Sequence, residues 1–452
     1  MSGALTSTFM KDGSTALRDN MGVQANAGLP GKRDRPLIAF FDYPDVFEDF
    51  YPHYGIDQRS FATQWMNTAV HEWLALVQRE IGDVVWYVFS LAPQLSEARH
   101  ERVGCTVRFL LSSWLHRCLW RAFYLPKNAW RWRGAYRAYA LVASYVALMS
   151  WPFLRALRRE RPDVFFVASY SSGRFDVLIL IARLLRVPVL VLHTGGTPDG
   201  YLGRFAKRFT IPRSDWIFPS GQGELKSLVE HYGVPRDRID VIRPPVDTAV
   251  FRPLERTVAR QAAGLDPSRR YLLFVGRLDD SVKRVSAIIR AFVQAAPDHP
   301  DADLVIVGDG QDISSLRALA ASQFGERIHF LGWISGSQPK AQLYSGAECL
   351  VMASLREASP AVINEAFACG TPVLSSSVGG IGDLVVDGQT GWLFPPGDDE
   401  ALARGLSFVL SRPELVASSR AKVRKVAEDL LSPATVAATL QKGFSAVCGA
   451  RG

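Results

Sequence analysis

Four charged side chains in the second half of this 452-residue sequence could together bind a diphosphate joined to sugars. Arg277 follows an apolar run and Gly276, and Lys283 comes six residues later, just before a helical pattern whose start offers unpaired N–H groups. Glu357 and Glu365 lie eight residues apart around the start of another helical pattern. Cations and helix N-termini stabilise phosphate groups, whereas ionised carboxylates accept hydrogen bonds from paired hydroxyls. Charges solvated at ordinary strand-to-helix turns are the alternative for each pair taken alone.

Short apolar runs alternate with helical patterns along the chain, and these elements must position the charged residues. The first series of predicted strands is Leu37–Phe41, Val84–Phe89, Val164–Ala168, Val187–Leu192, Trp216–Pro219 and Ile239–Ile242. The second series is Leu272–Val275, Leu304–Val307, Ile328–Leu331, Cys349–Met352 and Val373–Ser375. Continuous apolar strands separated by helices predict parallel sheets covered on both faces. The predicted fold class is therefore α/β, with two doubly wound, Rossmann-like domains facing across a cleft.

The domain boundaries follow from changes in composition. Residues 1–36 are polar and lack an apolar segment, which predicts a disordered tail and not a signal peptide. Prolines at 244, 245 and 253 interrupt both patterns, so the N-terminal domain is predicted at 37–250 and the C-terminal domain at 251–430. A C-terminal helix and tail occupy 431–452, and the sequence leaves open on which domain this helix packs.

The positive charge of the chain is concentrated in one segment. The whole sequence has a net charge of +8, whereas residues 99–161 hold 13 Lys and Arg against two acidic residues. This basic aromatic helical segment also carries 12 aromatic residues between Phe109 and Phe153. Rings interleaved with arginines are typical of membrane interfaces, and peripheral contact with an anionic membrane and plain packing on the N-terminal domain are the two alternatives. Nucleic acid is not an expected partner, because no motif for it accompanies the segment.

Membrane-spanning and metal-binding classes find no support in the sequence. The longest uncharged run, Ala138–Leu154, has 17 residues, which is short for a span of about 30 Å, and Pro152 interrupts it. The five cysteines form no C-x-x-C pair, which favours a reducing compartment and a chain without disulfides or a structural metal.

An ordered set of motifs in the second half carries a family resemblance. The motifs are Val275-Gly-Arg-Leu, Lys283, Leu304-Val-Ile-Val-Gly-Asp-Gly310, Ile328-His-Phe-Leu-Gly332, Tyr344-Ser-Gly-Ala-Glu348, Glu357 to Glu365-Ala-Phe-Ala-Cys-Gly-Thr-Pro-Val373, Gly379-Gly380 and Asp387-Gly-Gln-Thr-Gly391. Together they resemble the nucleotide-sugar-binding domain of glycosyltransferase family 4, whose members are retaining enzymes with the GT-B fold. The resemblance is close over Tyr271–Leu410 and looser from Arg161 to Pro253.

The resemblance implies roles for individual residues. Glu365 would bind the ribose of the donor, Glu357 would hold hydroxyls of the transferred sugar, and Arg277 and Lys283 would neutralise the leaving diphosphate. His193 would be the family's cleft histidine, although a strand-end histidine satisfied within the protein is the alternative. The implied catalytic residues are thus Arg277, Lys283, Glu357 and His193. The implied donor-binding residues are Gly276, Arg277, Lys283, Gly332, Glu357, Ala358, Ser359, Ala361, Val362 and Glu365.

The resemblance also implies a function. The expected protein is a hexosyltransferase that moves a sugar from a nucleotide-diphosphate donor to a hydroxyl acceptor with retention, without a metal or other cofactor. A lipid-linked acceptor or a cell-surface glycan would suit a cytoplasmic enzyme on the inner face of the cell membrane. The alternatives are a related enzyme that only cleaves or rearranges its sugar substrate, and a non-catalytic GT-B scaffold that binds nucleotide or a partner.

The sequence departs from the family pattern at several positions. The loop between the two glutamates is Ala-Ser-Pro-Ala where glycines are common, and Asp383 stands where a Glu is common. The glycine pair usual after the first strand is replaced by a loop from Asp42 to Gly55. Its carboxylates could bind acceptor hydroxyls or could merely be solvated.

Overall fold

The computed structural model describes residues 33–42, 46–63, 69–123, 139, 142–193, 201–322, 325–357 and 359–449. Most of the predicted tail and the centre of the basic aromatic segment, residues 124–138, lie outside the described residues. Residues 35–452 form one compact unit that contains two sheets.

The first sheet has seven strands in the order β3-β4-β2-β1-β5-β6-β7, and only the β3–β4 pair is antiparallel. The strands are β1 (Leu37–Phe41), β2 (Asp83–Ser90), β3 (Glu97–Arg99), β4 (Thr106–Leu111), β5 (Val164–Ala168), β6 (Val189–Leu192) and β7 (Trp216–Phe218). The helices are α1 (Gln58–Thr63), α2 (Ala69–Glu80), α3 (Trp114–Phe123), α4 (Trp151–Glu160), α5 (Gly173–Leu185), α6 (Tyr201–Thr210) and α7 (Gln222–Glu230). Alternate residues of β1 enter the cores on opposite faces of the sheet, as a doubly wound sheet requires.

The second sheet has six parallel strands in the order β10-β9-β8-β11-β12-β13. The strands are β8 (Arg270–Val275), β9 (Ala302–Val307), β10 (Ile328–Gly332), β11 (Cys349–Met352), β12 (Val373–Ser376) and β13 (Gly391–Phe394). The helices that follow the first sheet are α8 (Arg256–Ala262), α9 (Asp280–Lys283), α10 (Val285–Ala295), α11 (Ile313–Ala321), α12 (Ser337–Gly346), α13 (Ala361–Ala368), α14 (Asp399–Ser411), α15 (Pro413–Val426) and α16 (Pro433–Cys448). All strands of this sheet end at the same edge, so the loops after β8 to β11 converge there.

Two predicted elements differ in the structure. The segment 99–161 is not wholly helical, because residues 106–111 form β4, which pairs with β2. Residues 239–242 form no strand, and only an isolated bridge joins Ile239 to Ile217. Among the described residues, no helix is long and apolar enough to cross a bilayer.

The C-terminal helix packs on the first sheet although it follows the second. Val436, Leu440 and Phe444 of α16 enter the core of the first sheet, and the rings of Phe444 and Phe166 lie 5.4 Å apart. Gly443 permits this approach, since a Cβ there would lie 2.5 Å from the Phe218 ring. The helix thus ties the end of the chain back to the first sheet.

Candidate functional site

The loops after β8 and β9 pack backbone to backbone at the carboxyl edge of the second sheet. A Cβ on Gly308, whose φ is +139°, would lie 1.8 Å from the carbonyl oxygen of Gly276. A Cβ on Gly310 would lie 2.3 Å from the carbonyl oxygen of Leu278. Only glycine allows this approach, and it holds exposed Arg277 at the edge of the sheet.

The helix start after Lys283 is not the open set of N–H donors that the sequence predicts. The single-turn helix α9 precedes α10, and its Asp280 accepts hydrogen bonds from the Ser286 amide (2.8 Å) and hydroxyl (2.7 Å). The carboxylate of Asp280 therefore already occupies the first turn of α10. A phosphate beside the start of α10 would therefore be bound by the side chains of Arg277 and Lys283 and not by the amides of that helix.

Lys283 and Glu357 form an ion pair between the loops after β8 and β11. The hydroxyl of Ser354 donates to the same carboxylate oxygen of Glu357 at 2.7 Å. The Leu355 amide donates to the Val282 carbonyl at 2.9 Å, so the two loops are fixed together. Both charged side chains keep part of their surface in solvent, at 20% for Lys283 and 11% for Glu357. The pair can therefore exchange its mutual contact for contacts with a ligand.

Glu365, in the middle of α13, is held by two residues of α12. Lys340 Nζ lies 2.5 Å from Oε1, and the Tyr344 hydroxyl donates to Oε2 at 2.8 Å. Burial, and then the nearby carboxylate, raise the pKa of Tyr344 well above its ordinary value, so the phenol stays a donor. Each carboxylate oxygen has room for a second hydrogen bond, which is what a ribose with two neighbouring hydroxyls would require.

The start of α13 lies between these two carboxylates in the chain. Pro360 is the residue before its first turn, and no described side chain caps the helix. The first amides of the helix, at Ala361 and Val362, therefore point an uncapped N-terminus towards the carboxyl edge of the sheet. Ser359 precedes this turn, while Ala358 lies outside the described residues.

The strand β10 ends at Gly332, which has φ +71° and whose carbonyl accepts from the Gly308 amide at 2.8 Å. The next residue, Trp333, is 66% exposed. An exposed ring directly after Gly332, a predicted donor-binding residue, offers a surface on which a nucleobase can stack.

His193 follows β6 and is almost fully buried, at 3% exposed. Its ring stacks on that of Tyr170, with centroids 4.2 Å apart, and its Nε2 lies 3.6 Å from Oε1 of Glu224. The Tyr170 hydroxyl donates to Glu224 at 2.6 Å, and the Ser220 amide donates to its other oxygen at 3.2 Å. Burial raises the pKa of Glu224 to about 7 despite these donors. The three side chains come from loops or helices that follow β5, β6 and β7.

The loop after β1 uses its carboxylates internally. Glu48 accepts hydrogen bonds from the Ser90 hydroxyl at 2.6 Å and the Leu91 amide at 2.9 Å. Asp42 is buried. The pKa of Tyr51 is raised mainly by the burial of that phenol and secondly by the charge of Asp42. Both carboxylates therefore have partners within the protein, and Glu48 keeps part of its surface in solvent.

Asp383 connects the second sheet to the first. Its carboxylate accepts from the Gln222 amide at the start of α7 (2.7 Å) and from Arg243 Nη2 (3.1 Å). A Cβ on Gly221 would lie 2.8 Å from the same oxygen. The carboxylate of Asp383, at the N-terminus of α7, thus joins the loop after β12 to the helix that carries Glu224.

Comparisons of the sequence with known families account for most of its length. The family model described as "Glycosyltransferase Family 4" matches residues 66–250, and the model described as "Glycosyl transferases group 1" matches residues 255–428. The chain belongs to glycosyltransferase family 4.

Curated relatives of this family match part of the chain. A D-inositol 3-phosphate glycosyltransferase of Rhodococcus jostii is 30% identical over 253 residues, which is 54% of this chain and 56% of the relative. The same-named protein of Nocardia farcinica is 34% identical over 221 residues, or 46% of this chain and 48% of the relative. The chain thus matches about half the length of these curated relatives.

Solved structures confirm the GT-B fold. Anabaena HepE in complex with UDP superposes with a TM-score of 0.66 at 16% identity, covering 90% of this chain and 99% of that one. Sucrose-phosphate synthase of Thermosynechococcus elongatus gives 0.65 at 20% identity, covering 92% and 100%. Both likenesses establish the architecture of two Rossmann-like domains.

The predicted site residues lie at the carboxyl edges of the two sheets, most of them at the edge of the second sheet. Gly276, Arg277, Lys283, Gly332, Glu357, Ser359, Ala361, Val362 and Glu365 lie on the loops or helix turns that follow β8, β10 and β11. His193 lies at the carboxyl end of the first sheet, and its catalytic role stays a prediction. The sequence offers no sign of roles for Glu224, Tyr170 and Lys340, because their positions depend on helix packing and no motif marks them. Tyr344 stands in a family motif, but its contact with Glu365 was not predicted. Within the described residues, no three His, Cys, Asp or Glu side chains are grouped to hold a metal ion.

Proposed function

We propose that this family 4 chain transfers a sugar from a nucleotide-diphosphate donor to a hydroxyl acceptor with retention of configuration. The arrangement that carries the proposal is the uncapped N-terminus of α13, which lies in the chain between Glu357, the partner of Lys283, and Glu365. This arrangement offers a cation and amides to a diphosphate, and carboxylates to hydroxyls on both of its sides.

The proposed chemistry needs no nucleophile from the protein. The bond between the anomeric carbon and the diphosphate oxygen breaks, and the acceptor oxygen bonds to the same face of that carbon. The acceptor proton passes to the leaving phosphate oxygen. Charge that develops on the diphosphate is stabilised by Arg277, Lys283 and the amides of Ala361 and Val362, which are fixed before the reaction begins.

The donor and acceptor classes are proposals that relatives support. HepE was solved in complexes with UDP and with UDP-glucose, which makes a uridine nucleotide the first donor to test. The names of the curated relatives make inositol phosphate the first soluble acceptor to test. A lipid-linked or cell-surface glycan acceptor remains part of the proposal, with catalysis on the cytoplasmic face of the membrane.

The test begins with thermal unfolding in the presence of UDP, GDP, ADP or dTDP. A ligand at a hundred times its dissociation constant stabilises a protein by about 2.7 kcal/mol, so one nucleotide should raise the midpoint clearly. Glu365→Ala should abolish the shift, whereas Glu414→Ala, at an exposed glutamate of α15, should retain it. An equal shift in both variants would show that Glu365 does not bind the ribose.

Product analysis then separates the alternatives. Sugar transfer to an added acceptor supports the proposal, whereas release of free sugar alone indicates an enzyme that cleaves its substrate. Nucleotide binding without turnover of any sugar nucleotide indicates a non-catalytic scaffold.

A further inference from the structure

Exposed apolar side chains are concentrated on one part of the first domain. The structure describes 18 large apolar side chains that are exposed, and 11 of them lie between residues 114 and 209. We call this set the outer face of α3 to α6. It comprises Trp114, Leu115, Val142, Met149, Trp151, Leu154, Leu180, Leu184, Leu185, Phe205 and Phe209. Such a concentration marks an interaction surface, whereas single exposed apolar residues are ordinary.

A buried carboxylate fixes three of these segments to one another. Asp176 of α5 accepts hydrogen bonds from the Tyr145 hydroxyl (2.9 Å), from Lys207 Nζ (2.9 Å) and from the Thr210 hydroxyl (2.5 Å). Tyr145 belongs to the stretch before α4, and Lys207 and Thr210 belong to α6. The Ser113 amide, just before α3, donates to the carbonyl of residue 147 at 3.1 Å. The exposed residues therefore belong to one layer of helices.

Helices α5 and α6 extend the outer face beyond the basic aromatic segment. Leu180 and Leu184 follow Asp176 by about one and two helical turns and are 61% and 84% exposed. Phe205 and Phe209 stand one turn apart on α6, are 70% and 50% exposed, and have ring centroids 5.2 Å apart. These side chains are exposed on the surface of their helices, and a lipid bilayer can accommodate them without preformed pockets.

The charge of this region is strongly positive. Residues 111–213 contain 17 Lys and Arg against four acidic residues. Asp176 is buried in its hydrogen bonds, and Glu160 pairs with Arg108 and Arg159. Exposed arginines remain beside the apolar side chains at positions 155, 158, 183, 186 and 208. Rings and leucines flanked by guanidinium groups match an interface of acyl chains and anionic headgroups.

We propose that the outer face of α3 to α6 docks the first domain on an anionic membrane, with Phe205 and Phe209 inserted below the headgroups. Docking does not depend on the proposed function, but together with it would present the cleft to a lipid-linked acceptor. Trp114 follows the carboxyl end of β4 by three residues, so one end of this face lies at the edge of the sheet that carries His193.

Flotation of the full chain with phosphatidylcholine vesicles, with and without phosphatidylglycerol, tests the proposal. The wild-type chain should float with the anionic vesicles. The double variant Phe205→Ala/Phe209→Ala should lower the partition coefficient at least about tenfold, because each substitution removes a ring that would be buried in the bilayer. The matched double variant Val258→Ala/Leu430→Ala, at residues 61% and 49% exposed outside this face, should bind as wild type.

Neutralisation of two exposed arginines provides the second arm of the test. Arg155→Gln/Arg208→Gln should lower binding to anionic vesicles about 25-fold, at about fivefold per charge, and should not alter binding to neutral vesicles. All variants should keep the nucleotide-induced thermal shift, which separates failed docking from a failed nucleotide site. Equal flotation of Phe205→Ala/Phe209→Ala and wild type would overturn the proposal. A dimer in solution that dissociates in this variant would show a second copy on the face and would overturn it too.

Discussion

Glu224 should make the first domain lose stability as the pH rises towards neutrality. Burial raises the pKa of its carboxyl group from 4.5 to about 7. Between these two values the native state holds a proton that the unfolded chain has released, so the free energy of unfolding falls as the pH rises. At about 1.4 kcal/mol per pH unit, the loss across the whole window is about 3 kcal/mol.

The variant Glu224→Gln removes this titration and leaves the shape of the side chain. The amide has only one acceptor oxygen, so one of the hydrogen bonds that Glu224 accepts is lost and the free energy of unfolding falls by an amount that does not change with pH. The test is therefore how the difference in stability between the variant and wild type changes with pH. Thermal unfolding between about pH 5 and pH 8 should show the midpoint of the variant rising relative to wild type by about 6 to 12 °C. Glu230→Gln, at an exposed glutamate of the same helix, should follow the wild-type curve.

A second substitution tests the cause of the shift. Tyr170→Phe removes a hydroxyl that donates to the ionised carboxylate, so it should raise the pKa of Glu224 further and extend the window to higher pH. Parallel curves for wild type and Glu224→Gln over the whole range would refute the reasoning, because they would mean that the native carboxyl group is not held protonated by burial.

Two further predictions concern backbone approach and the link between the sheets. Gly308→Ala should destabilise the second domain by about 3 kcal/mol or prevent its folding, because a Cβ meets the Gly276 carbonyl at 1.8 Å. The control Gly223→Ala lies in α7 with no atom within 4 Å of its Cβ, and it should unfold at or slightly above the wild-type temperature in the same calorimetric scan, because alanine is the better helix former. Asp383→Ala should cost about 2 kcal/mol, because it leaves Arg243 without its carboxylate; hydrogen exchange at the start of α7 should rise, and unchanged exchange there would contradict the link.

The strands show what an apolar pattern can predict and where it fails. Leu37–Phe41, Val164–Ala168 and Cys349–Met352 have the predicted bounds, because continuous apolar runs between polar residues suit only strands buried on both faces. The strand β4 was missed because Arg108 interrupts its pattern. That arginine is tolerated in the sheet because Glu97 and Glu160, distant in sequence, lie 2.8 and 2.7 Å from its nitrogens.

The sequence by itself determined the family, the parallel sheets and the set of residues at the carboxyl edge of the second sheet, because apolar runs and the motifs that follow them are local properties of the chain. Tertiary structure alone decided which charges meet. The pairing of Lys340 with Glu365 and the burial of Glu224 against Tyr170 depend on how helices pack, and the same is true of the contact of α16 with the first sheet. Each of these contacts joins residues whose separation in the chain carries no periodic signal, so their geometry exists only in the folded protein.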